Sequence, residues 1–335
     1  MNLLARLILA AGLAALLSPD SVAENRQEEG EKLVRHAEQI SNLRSDDARP
    51  FRLKASFTLL GKGAVTGEGT YTEIWVSHGR WRRDTVLGTF HRTEVGVDKK
   101  GWILDSTDNS PVKTGELGRL MHVGEIRQES IKVAAIRDQS VQGVQARCVE
   151  LKGDNNNIGK GKFCIDPQRG VLLLREIPVW VNRNVDYLCE YSQYEQFADR
   201  MYPRHIQCVE DGYPGIDVRV QELSVESSPD PALFAPPIGA KEVGNCSSKV
   251  QPPKALQTPD PEYPKGEPQP SSPELIFLIV GVDGKPRDLK VASSIGKLFD
   301  SQALGAVSQW VFRPAMCDGD PVAVQVNVEV TFRKP

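Results

Sequence analysis

The run Val322-Ala-Val-Gln-Val-Asn-Val-Glu-Val-Thr-Phe332 constrains the fold more than any other stretch of the chain. It alternates with a period of two. Val322, Val324, Val326, Val328, Val330 and Phe332 fall on one face, and Ala323, Gln325, Asn327, Glu329 and Thr331 on the other. Successive side chains of a strand point to opposite faces, so the run reads as one half-buried strand with a wet side. Upstream, Ile276, Leu278, Val280 and Val282 form one face of a strand that ends at the turn Asp283-Gly284-Lys285. Leu289, Val291 and Ser293 mark the return strand. Leu275, Phe277 and Ile279 make the first strand apolar on its second face too, so that face needs cover from a linker, a neighbouring domain or a partner. Gly296 then breaks the chain, and Asp300 reads as a helix N-cap with Phe299 stapled to Leu304. Ala303, Ala306, Val307 and Trp310 form one helical stripe, which Pro314 ends. The order is β-β-α-β.

With 335 residues the chain has room for two domains. A net charge of −3 and the lack of a basic tract exclude a nucleic-acid partner. Arg80, Arg82 and Arg83 read as a solvated strand face. At the N-terminus, Arg6, the apolar run Leu7–Leu17 and the small residues Ser21-Val22-Ala23 have the form of a secretory signal, with cleavage expected after Ala23. The apolar run is shorter than the ~20 residues of a membrane-spanning helix. An uncleaved signal serving as an inner-membrane anchor is the alternative.

Export agrees with an even set of cysteines: Cys148, Cys164, Cys189, Cys208, Cys246 and Cys317. Cys148 and Cys164 flank a turn over residues 152–159, so a hairpin there sets them opposite each other. Cys189 and Cys208 flank a second apparent hairpin that turns near Phe197–Pro203. Cys246 and Cys317 remain, and their bond would tie a linker to the C-terminal module. In the chain-entropy model, each closure contributes on the order of 3 to 4 kcal/mol.

Taken in order, Glu24 to about Leu43 has the spacing of one amphipathic helix, with apolar Leu33, Val34, Ala37, Ile40 and Leu43. From Phe51 to about Glu226 short alternating runs separated by turn residues predict an antiparallel meander in a large curved sheet or half-barrel. One helical interruption is expected over Pro111–Arg137. Residues 238–272 carry Pro252, Pro253, Pro259, Pro261, Pro264, Pro268 and Pro270, a composition that predicts a semi-rigid spacer. Asn245-Cys246-Ser247 has the form of a glycosylation acceptor, and a disulfide at Cys246 is the preferred reading. The fold class is therefore α+β, with a signal at 1–23, a curved antiparallel β domain at 24–237, a linker at 238–272 and a small β-β-α-β domain at 273–335.

Two resemblances follow. Tyr263-Pro264, Val282-Asp283-Gly284-Lys285-Pro286, Ser293-Ser294-Ile295-Gly296, Phe299-Asp300, Trp310-Val-Phe312-Arg-Pro314 and Asp318-Gly319-Asp-Pro321-Val322 stand in the order and spacing of the TonB C-terminal domain, over about residues 259–333. The resemblance implies a three-stranded sheet with a helix on one face. It also implies a role in pairing, by strand addition, with a short segment of an outer-membrane transporter or other envelope protein. On that reading Tyr263, Pro264, Val322, Val324, Gln325, Val326, Asn327, Val328, Glu329, Val330 and Phe332 meet the partner. A terminal edge strand suits that task without the family, since it offers unpaired N–H and C=O groups. Cover by homodimerisation or by the linker is the competing reading.

The second resemblance covers residues 24–237. A leading helix, a long antiparallel sheet, a helical lid and the tail Ser228-Pro-Asp-Pro-Ala-Leu-Phe-Ala-Pro-Pro237 resemble the LolA/LolB superfamily of periplasmic half-barrel lipoprotein carriers. It implies a lipid or lipoprotein acyl chain as ligand. Both resemblances place the protein in the periplasm. The departure from energy transducers is the signal read as cleavable and the folded domain in place of a Pro-rich rod.

No enzyme is expected. His36, His78, His91, His122 and His205 fall in no metal-binding spacing, and no nucleophile elbow or phosphate loop is present. Glu73, Glu94, Asp105 and Asp108 are the carboxylates that folding could pair. No cofactor or metal is predicted.

Overall fold

The computed structural model describes residues 19–60, 66–107, 114–125, 131–152, 161–178, 186–210, 213–246, 250–317 and 319–334. The expected signal segment up to residue 18, the turn residues 153–160 and Asp108 lie outside the described residues. Helix α1 (Pro19–Ser41) starts ahead of the expected cleavage site and runs through it.

Strands β1 (Phe51–Leu59), β2 (Gly67–Ser77), β3 (Arg80–Leu87), β4 (Phe90–Val97) and β5 (Lys100–Asp105) form a first antiparallel meander. Helix α2 (Thr114–Leu120) follows. A second meander comprises β6 (Val133–Val141), β7 (Val144–Leu151), β8 (Gly161–Ile165), β9 (Leu172–Pro178), β10 (Asp186–Phe197), β11 (Arg200–Glu210) and β12 (Tyr213–Val225). Pairing of β1 with β12, from Phe51 opposite Val225 to Leu59 opposite Ile216, joins the two meanders. With β13 (Lys241–Gly244) added beside β5, the result is an open sheet of 13 strands among the described residues, bounded by β13 and β6.

The alternation of Phe51, Leu53, Ala55, Phe57 and Leu59 is realised, and all five are buried. They share a core with Val34 and Ala37 of α1 and with Leu117, Leu120, Met121 and Val123 in and after α2. On the other face a 3₁₀ turn, Pro231–Phe234, buries Phe234 against Ile74 and Val95.

The helix expected over Pro111–Arg137 is corrected. The helix described there is Thr114–Leu120, and Val133 already begins a strand. A bulge between Val133 and Ala135 breaks the period of two at that point, which is why the stretch reads as helical. The β6–β7 hairpin turns at Gln142-Gly143, where both φ angles are positive (51° and 78°), as a two-residue hairpin turn requires.

The chain continues through β14 (Val250–Gln251), β15 (Lys254–Gln257), β16 (Glu274–Val280), β17 (Pro286–Ser293), α3 (Lys297–Val307), β18 (Val311–Arg313), β19 (Ala315–Cys317), β20 (Asp320–Val322) and β21 (Val324–Val330). The small module is a three-stranded sheet, β17-β16-β21, with α3 on one face. The N-cap of α3 is Gly296 rather than Asp300, which lies in the first turn. Segment 238–272, expected as a spacer, is only partly one. β13 joins the large sheet, β14 pairs with β19, and β15 pairs with β18.

All three expected cysteine pairs are bonded. Cys148–Cys164 and Cys189–Cys208 each join directly opposed residues of a hairpin. Cys246–Cys317 joins the residues after β13 to β19.

Candidate functional site

The long alternating run is two strands in two sheets. β20 pairs with β19, while β21 pairs with β16, from Glu274 opposite Val330 to Val280 opposite Val324. Val322 therefore leaves the edge predicted for it, and Thr331 and Phe332 lie past the strand. The break falls at Ala323, whose carbonyl accepts the Gly244 N–H at 2.7 Å. β21 has a strand on one side only in the three-stranded sheet. Its ladder-free edge is the one the sequence reading assigned to a partner, shortened to Val324–Val330.

Packing separates the candidate residues. Val324, Val326, Val328, Val330 and Phe332 face Ile276, Leu278, Val280, Phe299, Ala303 and Val307 in the module core. Gln325, Asn327 and Glu329 are half-buried, so the expected wet side is partly covered. Tyr263 lies edge-on to Phe299 and Phe332, with ring centroids 5.8 and 6.5 Å away, and its hydroxyl donates to the Pro268 carbonyl at 2.9 Å. Pro264 is buried. These two residues anchor the segment ahead of β16 to the core.

The second apolar face of β16 is covered from within the chain. Leu275, Phe277 and Ile279 are at most 8% exposed. Phe277, Ile279 and Gln325 meet Ile103, Leu104, Asp105 and Lys241 around a small cavity of about 110 Å³. Lys241 pairs with Asp288 across this seam, and Lys99 pairs with Asp320 at 3.1 Å. Asn245 secures the seam on the large sheet. Its amide donates to the carbonyls of His78 (2.9 Å) and Asp98 (2.7 Å) and accepts from the Trp81 indole at 3.0 Å.

A buried polar network that the sequence reading missed lies in the large domain. Glu73, fully buried, accepts from Arg44 Nε at 3.1 Å and Arg83 Nε at 3.0 Å, and from the Tyr71 hydroxyl at 3.0 Å. Arg44 Nη1 and the Tyr202 hydroxyl both donate to the Met121 carbonyl, at 3.0 and 2.7 Å. Burial alone would raise the Glu73 carboxyl, but Arg44 and Arg83 outweigh it and hold the group far below the usual carboxylate range. Arg83 Nη2 lies 2.9 Å from His122 Nε2, and His122 Nδ1 contacts Glu125. A guanidinium only donates, so Nε2 carries the lone pair and Nδ1 the proton. Burial pushes this imidazole down to about 3. Asp105 takes a bidentate pair from Arg92 at 2.7 and 3.0 Å.

The arginine triplet is thus not a solvated face. Arg83 is half-buried and bonds Glu73, Arg82 bonds Asp84, and Arg80 stacks over Phe234 at 4.7 Å. No group of three metal-binding side chains occurs among the described residues.

Residues 276–333 match the family model for the Gram-negative bacterial TonB protein C-terminal domain. The match starts in β16 and ends just past β21. No curated protein matches the chain. Solved structures similar to it include a LolA superfamily protein from Nitrosomonas europaea, 11% identical with a TM-score of 0.43, covering 62% of this chain and 97% of its own. A DUF1329 family protein from Desulfovibrio piger is 10% identical with a TM-score of 0.45, covering 63% and 97%.

Proposed function

We propose that the protein acts in the bacterial periplasm and binds an extended segment of another envelope protein along the outer edge of β21. One observation carries this reading: the TonB-type match spans β16 to β21, and β21 is an edge strand. An edge strand of seven residues offers roughly 23 Å of ladder at about 3.3 Å per residue. Alternate residues present N–H and C=O outward, so main-chain bonds supply the affinity. The binding role is non-catalytic. An outer-membrane transporter is the partner that the TonB likeness favours.

Photo-crosslinking tests the reading. A photoreactive residue at Glu329 in cells should give adducts whose peptides map to an extended segment of one envelope protein, and the same residue at Lys290 of β17 should not. Proline at one of the adjacent positions Asn327 and Val328 removes an outward N–H and should abolish the adduct. Adducts that survive proline at both positions, or that form equally from β17, would overturn strand addition.

A further inference from the structure

Glu274 opens β16 directly opposite Val330 of β21 and is fully buried. The polar groups its carboxyl meets are the Ile295 backbone N–H and the Asp300 carboxyl, and neither makes a close, well-aligned bond to it. An ionised carboxylate in that position is strongly disfavoured. The charged side chain that faces it is Asp300, in the first turn of α3. Asp300 is itself fixed: the Ser294 hydroxyl spans its two oxygens at 2.8 and 3.0 Å, and Gly296 N–H donates to that hydroxyl at 3.2 Å.

Among the described residues, the other elements around Glu274 place no cation against it. α3 contributes Lys297, which is exposed. In β17, Arg287 bonds Asp283 at 2.9 Å and Lys290 sits opposite Phe277, while the residue nearest in register to the start of β16 is Ser293. β21 places Val330 opposite, with Glu329 as its one charged residue. Arg333 and Lys334, beyond it, are exposed. A buried carboxyl beside a second carboxyl and without a counter-charge holds its proton.

We propose that buried Glu274 keeps its proton and donates it to the Asp300 carboxylate, and that this bond latches the start of α3 onto the β16–β21 ladder. Burial first, then Asp300, pushes the Glu274 carboxyl up to about 8, within reach of ordinary pH changes. The folded group lies above its unfolded value of 4.5. The latch is therefore complete below pH 4.5 and is lost as pH rises through about 8. The small module then loosens with rising pH, whether or not β21 captures a partner.

The test is hydrogen exchange on the full-length, disulfide-intact protein between pH 6 and 9, corrected for intrinsic exchange. Protection of α3 and β16 amides should fall by up to about tenfold per pH unit up to pH 8 in the wild type. Glu274→Gln should remove that slope, and large-sheet amides should show none of it. Should Glu274→Gln fail to fold, a carbon-labelled glutamate carboxyl resonance in the wild type gives the same answer through a titration midpoint near 8. Equal slopes in both proteins, a Glu274 carboxyl already ionised at pH 6, or a module stabilised by added calcium would overturn the protonated latch.

Discussion

Gly244, the last residue of β13, donates its backbone N–H to Ala323, the residue that separates β20 from β21. A Cβ on Gly244 would lie 2.6 Å from the Cβ of Val322, closer than side chains approach. The contact seats the small module on the edge of the large sheet and divides the alternating run in two. Gly244→Val is expected to destabilise the seam while leaving both cores intact. Limited proteolysis should then cut between residues 247 and 272 in the variant at protease levels that spare the wild type. Equal resistance would show that the seam does not depend on this approach.

The Cys246–Cys317 bond closes a loop of 71 residues across the same seam. Its removal by Cys246→Ala with Cys317→Ala should cost about 2–5 kcal/mol in denaturant unfolding of the small module. The transition of the large sheet, which keeps Cys148–Cys164 and Cys189–Cys208, should shift much less. A single common shift would mean that the two parts unfold as one unit.

Glu73 neutralises the buried guanidinium of Arg44 and the half-buried one of Arg83. Glu73→Gln leaves Arg44 and Arg83 without their carboxylate and is expected to destabilise the large domain by about 3–5 kcal/mol. Guanidinium unfolding followed by tryptophan fluorescence measures this, because Trp75 and Trp81 lie in β2 and β3. A loss under about 1 kcal/mol, typical of exposed ion pairs, would contradict the network.

His122 gives the large domain an acid limit. Its folded value of about 3 lies below the ordinary 6.5, so the unfolded chain binds the extra proton between these two values. Stability is complete above pH 6.5 and falls as pH drops toward 3. Protonation also removes the acceptor for Arg83 and sets two cations together. His122→Gln, which keeps a polar acceptor without a titrating proton, should flatten the loss between pH 6 and 4 in chemical-denaturation midpoints. An unchanged slope would assign the acid sensitivity to other groups.

Much of the fold was legible because it rests on local periodicity. Phe51–Leu59 alternates, is buried on the predicted face and pairs at the centre of the sheet. Cys148 and Cys189 oppose Cys164 and Cys208 because short hairpins leave little freedom of register. Of the expected helical stripe Ala303, Ala306, Val307 and Trp310, the first three are buried in α3 as their spacing predicts, while Trp310 lies past its end and is half-buried, because the helix stops at Val307. Where pattern failed, a tertiary partner intervened. The Val133–Ala135 bulge hid β6, and Glu73, Arg44 and Arg83 carry no sequence mark because their partners lie 10 and 29 residues apart.

The amino-acid sequence by itself determined the elements of the small module, their order and the apolar character of both faces of β16. These follow from side-chain spacing, which acts over a few residues. Which face is covered, where the final run breaks, and how much of it remains as an open edge were decided by the tertiary structure. Gly244 and Ala323 are 79 residues apart, and a bond between such distant backbone groups forms only once both domains are in place.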